Sequence, residues 1–484
     1  MGELPLGLSF DDVLLVPQRS GVLPAEVDVS TNLTADIPLK IPIVSSAMDT
    51  VTEDGLAIAL AREGGIGVIH RNMPIEEQAD MVAKVKRSEN TVISDPFTTS
   101  ADISLARLQE VMQEKGVNGF PVVDENRVLI GMVTSRDIWH VEDENAPVSA
   151  VMTPKERLIM APIATGLEEA RRILQLHRIE KLPLVDEEGR LAGLITAQDI
   201  EKRDMFLNSA KDDLGRLRVG AAIGVGEDCF DRAAAMIAAG ADAVFIDAAT
   251  GHTERVLHVI EKLRSDFGAA VVAGNVVTAD GAADLISAGA SAVKVGVGPG
   301  SICTTRVIAG VGTPQFTAIQ NCAKVCRDKG VPLIADGGIR YSGDVVKAMA
   351  AGADLVMLGS LLAGCRESPG EMVNYQGRTW KEYRGMGSLK AMRKGSGDRY
   401  GQNSSGKLVA EGVEARVPYR GPLSDTVFQL LGGLRSGMGY VGAENLQDLR
   451  ERAKFVRITS GGLKESHAHD ITITEEPVNY QPAS

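Results

Sequence analysis

The sequence predicts an α/β protein, a (β/α)8 TIM barrel that carries an inserted α+β domain. Eight short apolar segments alternate with amphipathic stretches, a pattern typical of parallel βα units. One stretch in the first half departs from this alternation and contains the same motif twice. The 484 residues include 52 glycines but only 4% aromatic residues, which favours α/β architecture over a β-sandwich.

The eight predicted strands lie on both sides of the repeated stretch, two before it and six after it. Eight parallel units favour a closed barrel over an open sheet, so we expect the repeat to interrupt the barrel after its second strand. Helices are predicted between the strands, for example over Phe230–Ala239 and Gly281–Ala288. The predicted strands are Ile41–Ser45, Ile66–His70, Val219–Ile223, Ala243–Asp247, Ala270–Gly274, Ala292–Gly296, Pro332–Asp336 and Asp354–Gly359.

The repeat occupies residues 92–203 and aligns two units without a gap. The segment FPVVD at 120–124 aligns with LPLVD at 182–186, and GMVTSRD at 131–137 aligns with GLITAQD at 193–199. Two units are too few for a solenoid, so we expect a pseudo-symmetric pair whose sheets are buried together. The predicted domains are therefore 92–148 and 149–203 in the insertion, with 1–91 and 204–484 in the discontinuous barrel.

Charge and hydropathy exclude several classes of function. With 51 basic and 64 acidic residues the net charge is −13, so an extended nucleic-acid or anionic-membrane surface is not expected. No segment reaches the ~18 consecutive apolar residues of a membrane span, and the first residues lack the pattern of a secretory signal. Five widely spaced cysteines, an odd number, fit a reducing compartment, so the sequence predicts a cytoplasmic protein.

The sequence GVGPGSICTTR at 296–306 places a cysteine in a glycine-rich loop directly after a predicted strand. Glycine allows the backbone to turn sharply and to approach a ligand closely. Cys303 in such a loop can reach a substrate, and its neighbours Ser301, Thr304 and Thr305 supply hydroxyl groups. The alternative is a small buried hydrophobe, which is the commoner role of a free cysteine.

Other predicted strands also end in polar or glycine residues, and the active sites of barrels lie at the carboxyl ends of their strands. The glycine-rich ends of strands seven and eight suit a phosphate, which backbone amides would hold. The alternative for each of these glycines is that it only allows the tight βα turn in which it occurs. The residues at these strand ends are Asp247, Asn275, Asp336, Gly337, Gly338, Gly359 and Ser360.

Residues 376–411 are unusual in an acidic protein, because they contain eight Lys or Arg against three Asp or Glu. They also contain seven glycines and little apolar periodicity. The segment therefore predicts a mobile basic flap over an anionic ligand. The alternative is an ordinary solvated surface loop.

Six motifs together resemble the IMP dehydrogenase family, and the resemblance covers nearly the whole chain. The repeat itself is similar to tandem CBS domains, which form a Bateman module. The motifs are SSAMDTVTE (45–53), GPGSICTTR (298–306), ADGGIRYSGD (335–344), YRGMGS (383–388), GDRYGQ (397–402) and ESHAHD (465–470).

The resemblance implies NAD-dependent oxidation of inosine monophosphate (IMP) to xanthosine monophosphate (XMP), a step of guanine nucleotide synthesis. Cys303 would add to C2 of the purine, and hydride would leave C2 for NAD, giving a covalent thioimidate. The flap would then bring Arg399 and Tyr400, with Thr305 nearby, to the hydrolysis of this adduct. The implied IMP-binding residues are Ser301, Asp336, Gly337, Gly338, Gly359, Ser360, Tyr383, Arg384, Gly385, Met386, Gly387 and Glu411.

Arg399 is the family's proposed base for the hydrolytic water, although an arginine has a pKa above ~12 and should stay protonated. The sequence leaves two explanations open, a locally lowered pKa or a proton relay through Tyr400. The dinucleotide would lie in an extended groove, since the chain lacks a Rossmann fingerprint. The implied NAD contacts are Asp247, Gly296, Val297 and Gly298.

The resemblance also implies a potassium site that two subunits share. Backbone carbonyls of one chain would be completed by residues of a neighbouring subunit, so the protein would be a homotetramer. Pairing of CBS modules could extend it to an octamer. The implied ligands are Gly298, Gly300 and Cys303 of one chain and Glu465, Ser466 and His467 of its neighbour.

In CBS domains the ending Gly-x-x-Thr-x-x-Asp places its Asp on the ribose of a nucleotide. The matching residues are Thr134 with Asp137 and Thr196 with Asp199, so purine nucleotides are implied partners. The alternative is that both Asp residues only cap the helices that follow.

Two other functions remain open. A GMP reductase would share the barrel, the cysteine loop and the nucleotide site, but would reduce GMP with NADPH, and that family lacks the Arg-Tyr pair of the flap. A nucleotide sensor would use the CBS pair and an inactive barrel, against which Cys303, Arg399 and Tyr400 argue. A flavin-binding barrel would leave Cys303 unexplained.

Overall fold

The computed structural model describes residues 4–89, 93, 95–141, 143–198, 200, 206–402, 406–475 and 477–480. The chain divides into two compact units, the first made of Met1–Ser88 with Asn208–Ser484 and the second of Glu89–Leu207. The predicted insertion, 92–203, falls within the second unit. Among these described ranges, no helix combines the length and the apolar character that a membrane crossing needs.

Eight parallel strands of the first unit form one closed sheet, so the prediction of a (β/α)8 barrel is confirmed. Each strand pairs with the next along the chain, β8 pairs with β1, and a parallel bridge between Val44 and Ile66 joins β1 to the start of β2. The strands are β1 Ile43–Ser45, β2 Gly67–Ile69, β3 Val219–Ile223, β4 Ala243–Ile246, β5 Val271–Val276, β6 Ala292–Val295, β7 Leu333–Asp336 and β8 Leu355–Leu358.

One helix follows each strand and covers the outside of the barrel. Their starts are fixed locally: the Thr253 side chain accepts a hydrogen bond from the Val256 N–H, and Thr278 does the same for Gly281. The predicted helices over 230–239 and 281–288 correspond to α3 and α5, with ends shifted by one or two residues. The helices are α1 Asp54–Arg62, α2 Ile75–Arg87, α3 Cys229–Ala238, α4 Glu254–Phe267, α5 Ala279–Ser287, α6 Gln315–Asp328, α7 Ser342–Ala351 and α8 Leu423–Val441.

The barrel interior is packed with apolar side chains from the strands. The hairpin of strands Thr31–Thr34 and Ile37–Leu39 contributes Leu33, Ile37 and Leu39 to the same cluster, just before the chain enters β1. Gly220 on β3 makes room for Phe245 on β4, because a Cβ at Gly220 would lie 2.5 Å from the Phe245 ring. The amino-terminal end of the barrel is therefore a packed core, and the space for a ligand is at the other end.

Shorter elements surround the barrel. The predicted flap, 376–411, begins in a three-stranded antiparallel sheet and continues through two short helices. The sheet strands are Met372–Tyr375, Arg378–Arg384 and Glu414–Pro418; Val13–Leu15 pairs with Phe455–Arg457; the helices are Thr305–Ile308, Ser360–Ala363, Leu389–Lys394, Leu446–Arg452 and Ser460–Ser466; and the 3-10 turns are Phe10–Asp12, Pro24–Glu26 and Ser396–Tyr400.

The second unit contains two α/β copies, and each pairs near its start with the sheet of the other. Thr153–Pro154, from the second copy, pairs with Leu129–Thr134 of the first copy, whereas Ile93 of the first copy bridges Leu194 of the second. The first copy has helices Leu105–Lys115 and Ser135–Ile138 and strands Gly119–Val123 and Leu129–Thr134; the second has helix Leu167–His177 and strands Thr153–Pro154, Ala161–Pro162, Lys181–Val185 and Leu191–Thr196; and 3-10 turns lie at Val148–Ala150 and Lys155–Arg157.

A buried lysine joins the two chain segments that flank the insertion. The Lys86 ammonium, near the end of α2, lies 3.1 Å from an oxygen of Asp212 and 2.6 Å from one of Asp242. Only 4% of the Lys86 side chain is exposed. Asp242 also accepts a hydrogen bond from the Val219 N–H at the start of β3. Lys86 thus ties α2 to the start of β3 and to the turn that precedes β4.

We expect Lys86→Ala to lower the free energy of unfolding by ~2 kcal/mol, because two largely buried carboxylates lose their shared positive charge and keep only Arg216 and Arg218 as partners. Equilibrium unfolding in urea measures this change. Lys84→Ala is the matched control on the same helix: Lys84 pairs with Asp54 but is 65% exposed, so the expected loss is below ~1 kcal/mol. Equal losses in the two variants would contradict a stabilising role of the buried cluster.

Candidate active site

A cavity of about 380 Å³ opens at the carboxyl ends of the barrel strands. Its wall is formed by the ends of β4 to β8, by the cysteine loop and by the flap. Most residues that the sequence singled out meet here. Those that line the cavity are Asp247, Asn275, Gly296, Gly298, Gly300, Ser301, Cys303, Asp336, Gly337, Gly338, Gly359, Ser360, Tyr383, Gly385, Met386, Gly387, Arg399, Tyr400 and Glu411.

Three further predicted residues lie just behind this wall. The Thr305 hydroxyl is 3.2 Å from the Cys303 sulfur. The Val297 carbonyl accepts a hydrogen bond from the Arg306 Nε at 3.1 Å. Arg384 points away from the cavity and binds the carboxylate of Asp49 through its Nε and Nη2. Arg384 is therefore placed to support the flap rather than to contact a ligand in the cavity.

The remaining predicted residues lie elsewhere. Glu465, Ser466 and His467 end the helix Ser460–Ser466 or follow it, and none of them lines the cavity of its own chain. Thr134, Asp137 and Thr196 belong to the second unit, and Asp199 lies outside the described residues. The main-chain N–H and the hydroxyl of Thr134 both donate to Asp137 Oδ2, at 2.7 and 2.8 Å. That geometry fits the capping alternative for Asp137.

The cysteine loop is held by main-chain pairing to the base of the flap. Val413 donates its N–H to the Ile302 carbonyl at 3.1 Å, and Thr304 donates to the Glu411 carbonyl at 2.9 Å. The Cys303 N–H donates to the Gly300 carbonyl at 3.0 Å, which closes the glycine turn. The Sγ of Cys303 is half-buried and donates to the Thr305 hydroxyl. The thiol is therefore fixed at the cavity wall by backbone contacts on both sides.

All five cysteines are free thiols. Cys303 differs from the other four in its exposure, because it is half-buried whereas they are buried. Burial raises the pKa of Cys322 and of Cys326 to about 12, and that of Cys365 to about 11. Burial also raises the pKa of Cys229. These thiols stay protonated at neutral pH and are shielded from reagents. Cys303 is thus the one cysteine that a ligand in the cavity can reach.

A hydrogen-bonded chain orients the carboxylate of Asp336. The Lys294 ammonium, buried in the middle of β6, donates to Asn275 Oδ1 at 2.6 Å. The amide of Asn275 must then point its Nδ2 the other way, where it donates to Asp336 Oδ2 and to the Gly296 carbonyl, each at 2.8 Å. Burial lowers the pKa of Lys294, and the nearby carboxylates of Asp336 and Asp247 oppose this shift.

Glycine is required where β6 and β7 enter the site. Gly296 has φ of 144°, and a Cβ there would lie 2.3 Å from the Asp336 carbonyl oxygen. Gly337 and Gly338 have φ of 86° and 81°, which side chains rarely adopt. The cavity wall at the end of β7 is consequently bare backbone, which suits close approach of an anionic group.

The flap covers the cavity and is held to the barrel by charge. Arg399 forms an ion pair with Asp247 at the end of β4, and its carbonyl accepts a hydrogen bond from the Ala249 N–H at 3.3 Å. Burial alone would raise the pKa of Asp247, but Arg399 and Arg71 outweigh it and hold that pKa below its ordinary value. Burial would lower the pKa of Arg399, yet Asp247 raises it above the usual range. In this conformation the guanidinium of Arg399 is charged and is not a base.

Sequence reasoning missed two residues of this charge cluster, Arg71 and Asp398. Arg71 lies directly after the predicted second strand, so its place at a carboxyl strand end was a usable signal. Its importance rests on a partner 327 positions away in the chain, which no local pattern reveals. Lys294 gave a clearer signal, since a charged residue in the middle of an apolar strand needs a buried partner.

Comparison with known proteins gives a consistent picture. A family model described as IMP dehydrogenase / GMP reductase domain matches residues 7–469. An inosine-5′-monophosphate dehydrogenase of Aquifex aeolicus is 60% identical over 478 residues, 98% of this chain and 97% of that protein. One of Halalkalibacterium halodurans is 56% identical over 475 residues, 98% of each chain. A solved cysteine-to-alanine variant of GMP reductase from Trypanosoma brucei, in complex with guanosine 5′-monophosphate, has a TM-score of 0.91 at 40% identity, covering 97% of this chain and 99% of its own.

We expect iodoacetamide at neutral pH to attach one label per native chain, on Cys303, because burial and a raised pKa protect the other four thiols. Peptide mass spectrometry locates the label. The variant Cys303→Ala should take up none under native conditions, and all remaining cysteines should react after unfolding in urea. Native labelling of Cys229, Cys322, Cys326 or Cys365 would contradict this arrangement.

Proposed function

The chain belongs to the IMP dehydrogenase / GMP reductase family, and on this premise we propose that it oxidises IMP to XMP with NAD through a covalent adduct on Cys303. The observation that carries the proposal is the meeting of the only reachable thiol with Arg399 and Tyr400 in one cavity. The dehydrogenase relatives are 56–60% identical to this chain, whereas the GMP reductase structure is 40% identical. The higher identity supports the oxidative reaction.

Cys303 supplies the nucleophile. C2 of the purine donates hydride poorly until a fourth substituent makes it tetrahedral, and a thiolate is a strong, soft nucleophile for that addition. The Cys303 sulfur forms a bond to C2 while the C2–N3 double bond opens and N3 takes up a proton in place of the one that the thiol loses, and the Thr305 hydroxyl already accepts the hydrogen bond of this thiol. NAD, when bound, takes the hydride from C2. The thioimidate that remains on Cys303 is then hydrolysed to XMP.

The other cavity residues divide into three groups around the nucleotide, one each for its ribose, its phosphate and its purine. Asp336 is oriented by Asn275 and suits the ribose hydroxyls, while the bare backbone at the end of β7 suits the phosphate. The flap base approaches the cysteine loop and suits the purine. The residues proposed to bind IMP are Ser301, Asp336, Gly337, Gly338, Gly359, Ser360, Tyr383, Arg384, Gly385, Met386, Gly387 and Glu411, with Arg384 acting through Asp49 rather than by contact.

The dinucleotide and the flap compete for Asp247. The residues proposed to contact NAD are Asp247, Gly296, Val297 and Gly298, and three of them line the cavity. The carboxylate of Asp247 is paired with Arg399 while the flap is closed, so a dinucleotide contact there requires Arg399 to leave. Oxidation then proceeds with the flap open and hydrolysis with the flap closed, which separates a dry step from one that needs water.

Arg399 carries a positive charge whenever it is paired with Asp247. Its action as the hydrolytic base therefore needs separation from Asp247 or a relay through Tyr400, the two explanations that the sequence left open. Burial raises the pKa of Tyr400, although the charge of Arg399 opposes this. The Arg399 guanidinium lies 5.9 Å from the centre of the Tyr400 ring, so the two side chains act from adjacent positions.

A potassium ion fits the backbone of the cysteine loop. Among the described residues, no main-chain N–H donates to the carbonyls of Gly298 or Cys303, which leaves their oxygens free for a hard cation. Gly300 would add a third carbonyl. Because Glu465, Ser466 and His467 do not line the cavity of their own chain, we propose that a neighbouring subunit supplies them. The site then requires an oligomer, for which the family implies a homotetramer.

The second unit is proposed to be a CBS module that binds purine nucleotides and pairs with another module to form octamers. Thr134 and Asp137 would contact ribose, as would Thr196 and Asp199 of the other copy. Both Thr134 donors use Asp137 Oδ2, so Oδ1 is the oxygen proposed to accept from a ribose hydroxyl. The five free cysteines support a reducing, cytoplasmic location.

The deciding experiment mixes the full-length protein with IMP, NAD and K+ and follows NADH and XMP together. We expect equal amounts of both products, because each adduct releases one NADH and is then hydrolysed once. Cys303→Ala should form neither product yet still bind IMP. Turnover of GMP with NADPH alone would instead support the reductase, and no turnover in either assay would support the nucleotide sensor.

We expect Arg399→Ala to separate the two steps. The variant should release a burst of NADH close to one per active site and then stall with the purine attached to Cys303, since oxidation does not need the closed flap. Rapid-mixing absorbance measures the burst, and intact-protein mass spectrometry detects the adduct. A parallel loss of burst and steady state would assign Arg399 to binding or oxidation instead.

A further inference from the structure

Four charged side chains alternate in sign along the contact between flap and barrel. Arg71 binds both carboxylate oxygens of Asp398, at 2.8 and 3.0 Å. The Nε of Arg71 also lies 3.3 Å from Asp247, which is paired on its other side with Arg399. The order is therefore Asp398, Arg71, Asp247, Arg399, so that each charge except the terminal ones has an opposite charge on both sides.

Two of these residues belong to the barrel and two belong to the flap. Arg71 follows β2 and Asp247 follows β4, whereas Asp398 and Arg399 are neighbours in the 3-10 turn of the flap. Gly224 follows β3, the strand that lies between β2 and β4 in the sheet. A Cβ at Gly224 would approach the Arg71 Cζ and the Asp398 Oδ2 to 3.0 Å, so the absence of a side chain lets the pair form. The barrel thus presents a positive and a negative group that match the two flap charges in reverse order.

With the flap docked, only 8% of the Arg71 side chain is exposed, so its charge depends on its two carboxylate partners. Burial disfavours its charged form, yet Asp247 and Asp398 together raise the pKa of Arg71 above its ordinary value. When the flap leaves, Arg71 loses its two-point contact with Asp398 and retains one contact with Asp247. Because a two-point contact between a guanidinium and a carboxylate is stronger than a single one, the loss of the Asp398 contact disfavours the open flap.

We propose that Arg71 is a positioning residue that latches the flap closed, acting through Asp398 and through Asp247 on Arg399. It sets the balance between the open flap, in which Asp247 is free for the dinucleotide, and the closed flap, in which Arg399 and Tyr400 face the adduct. The inference rests on the proposed function for its kinetic consequence, but not for the contact itself. Removal of the latch slows hydrolysis of the adduct and leaves the amount of adduct formed in the first turnover unchanged.

The test uses the full-length variant Arg71→Gln, which keeps a long polar side chain without the charge. Trypsin cleavage after Arg399, followed by mass spectrometry on the ligand-free protein, reports whether the flap is docked. We expect cleavage at least about tenfold faster than in the wild type, since Arg399 becomes accessible when the flap opens. With IMP, NAD and K+, the NADH burst should keep its amplitude and the steady-state rate should fall by about tenfold or more.

Two further variants separate a latch from a general loss of stability. Arg218→Gln removes another nearly buried arginine, 9% exposed and paired with Asp242, from the opposite end of β3. It should leave both the cleavage after Arg399 and the steady-state rate near wild type. Asp398→Asn should also slow the steady state, and the double variant should be no slower than Arg71→Gln alone, because the loss of Arg71 already breaks the contact with Asp398.

The outcomes distinguish the latch from the proposed function. Wild-type cleavage and kinetics in Arg71→Gln would overturn the latch, as would equal effects of Arg218→Gln or additive effects of Arg71→Gln and Asp398→Asn. In those cases a wild-type NADH burst with IMP would still support the oxidation of IMP. If the wild type makes no NADH from IMP and NAD, the proposed function fails, and the cleavage experiment alone decides whether Arg71 holds the flap.

Discussion

Parallel closure of the barrel brings the carboxyl ends of all eight strands to a single rim, and the functional contacts begin there. Arg71, Asp247, Asn275 and Asp336 come from four different strand ends, yet they belong to two neighbouring hydrogen-bond networks. The strands themselves are apolar and buried on both faces, which leaves the rim as the place where polar groups can gather. The cysteine loop completes the rim, because its backbone pairs with the base of the flap on one side and follows β6 on the other.

Charge burial governs how this rim is built. Lys294 and Asp247 are nearly inaccessible to solvent and Arg399 is largely buried, and each has a partner of opposite charge or a hydrogen-bonding amide within reach. Isolated charges at these positions would be costly, but alternating charges compensate one another. The same alternation makes the closed flap specific, since a segment without a negative and then a positive residue could not pair with Arg71 and Asp247 in register.

The sequence was a reliable guide wherever a local pattern fixes a local structure. All eight barrel strands were predicted within two residues of their observed ends, because apolar runs bounded by glycine and polar residues have few other interpretations. Cys303 and the ends of β4, β7 and β8 were identified for the same reason.

Contacts between distant segments could not be predicted from local patterns. The pairing of Arg71 with Asp398, and the diversion of Arg384 to Asp49, depend on the tertiary approach of flap and barrel. The flap was predicted as a basic segment, but its acidic residue Asp398 makes the two-point contact with the barrel.

The pairing between the two copies of the second unit has a consequence for how such a chain can be assembled. Ile93 near the start of the unit and Leu194 near its end exchange two main-chain hydrogen bonds, of 2.8 and 3.0 Å. The entry and the exit of this unit are therefore side by side. In the barrel, Lys86 and Asp212 likewise hold the two flanking segments together. A module whose first and last residues are adjacent can be inserted between two adjacent chain segments of another domain without distorting that domain. The pairing also makes the module indivisible, since either copy alone would expose an unpaired sheet edge. Deletion of one copy alone would therefore leave the other without part of its sheet, whereas deletion of the whole module removes both sides of every such pairing.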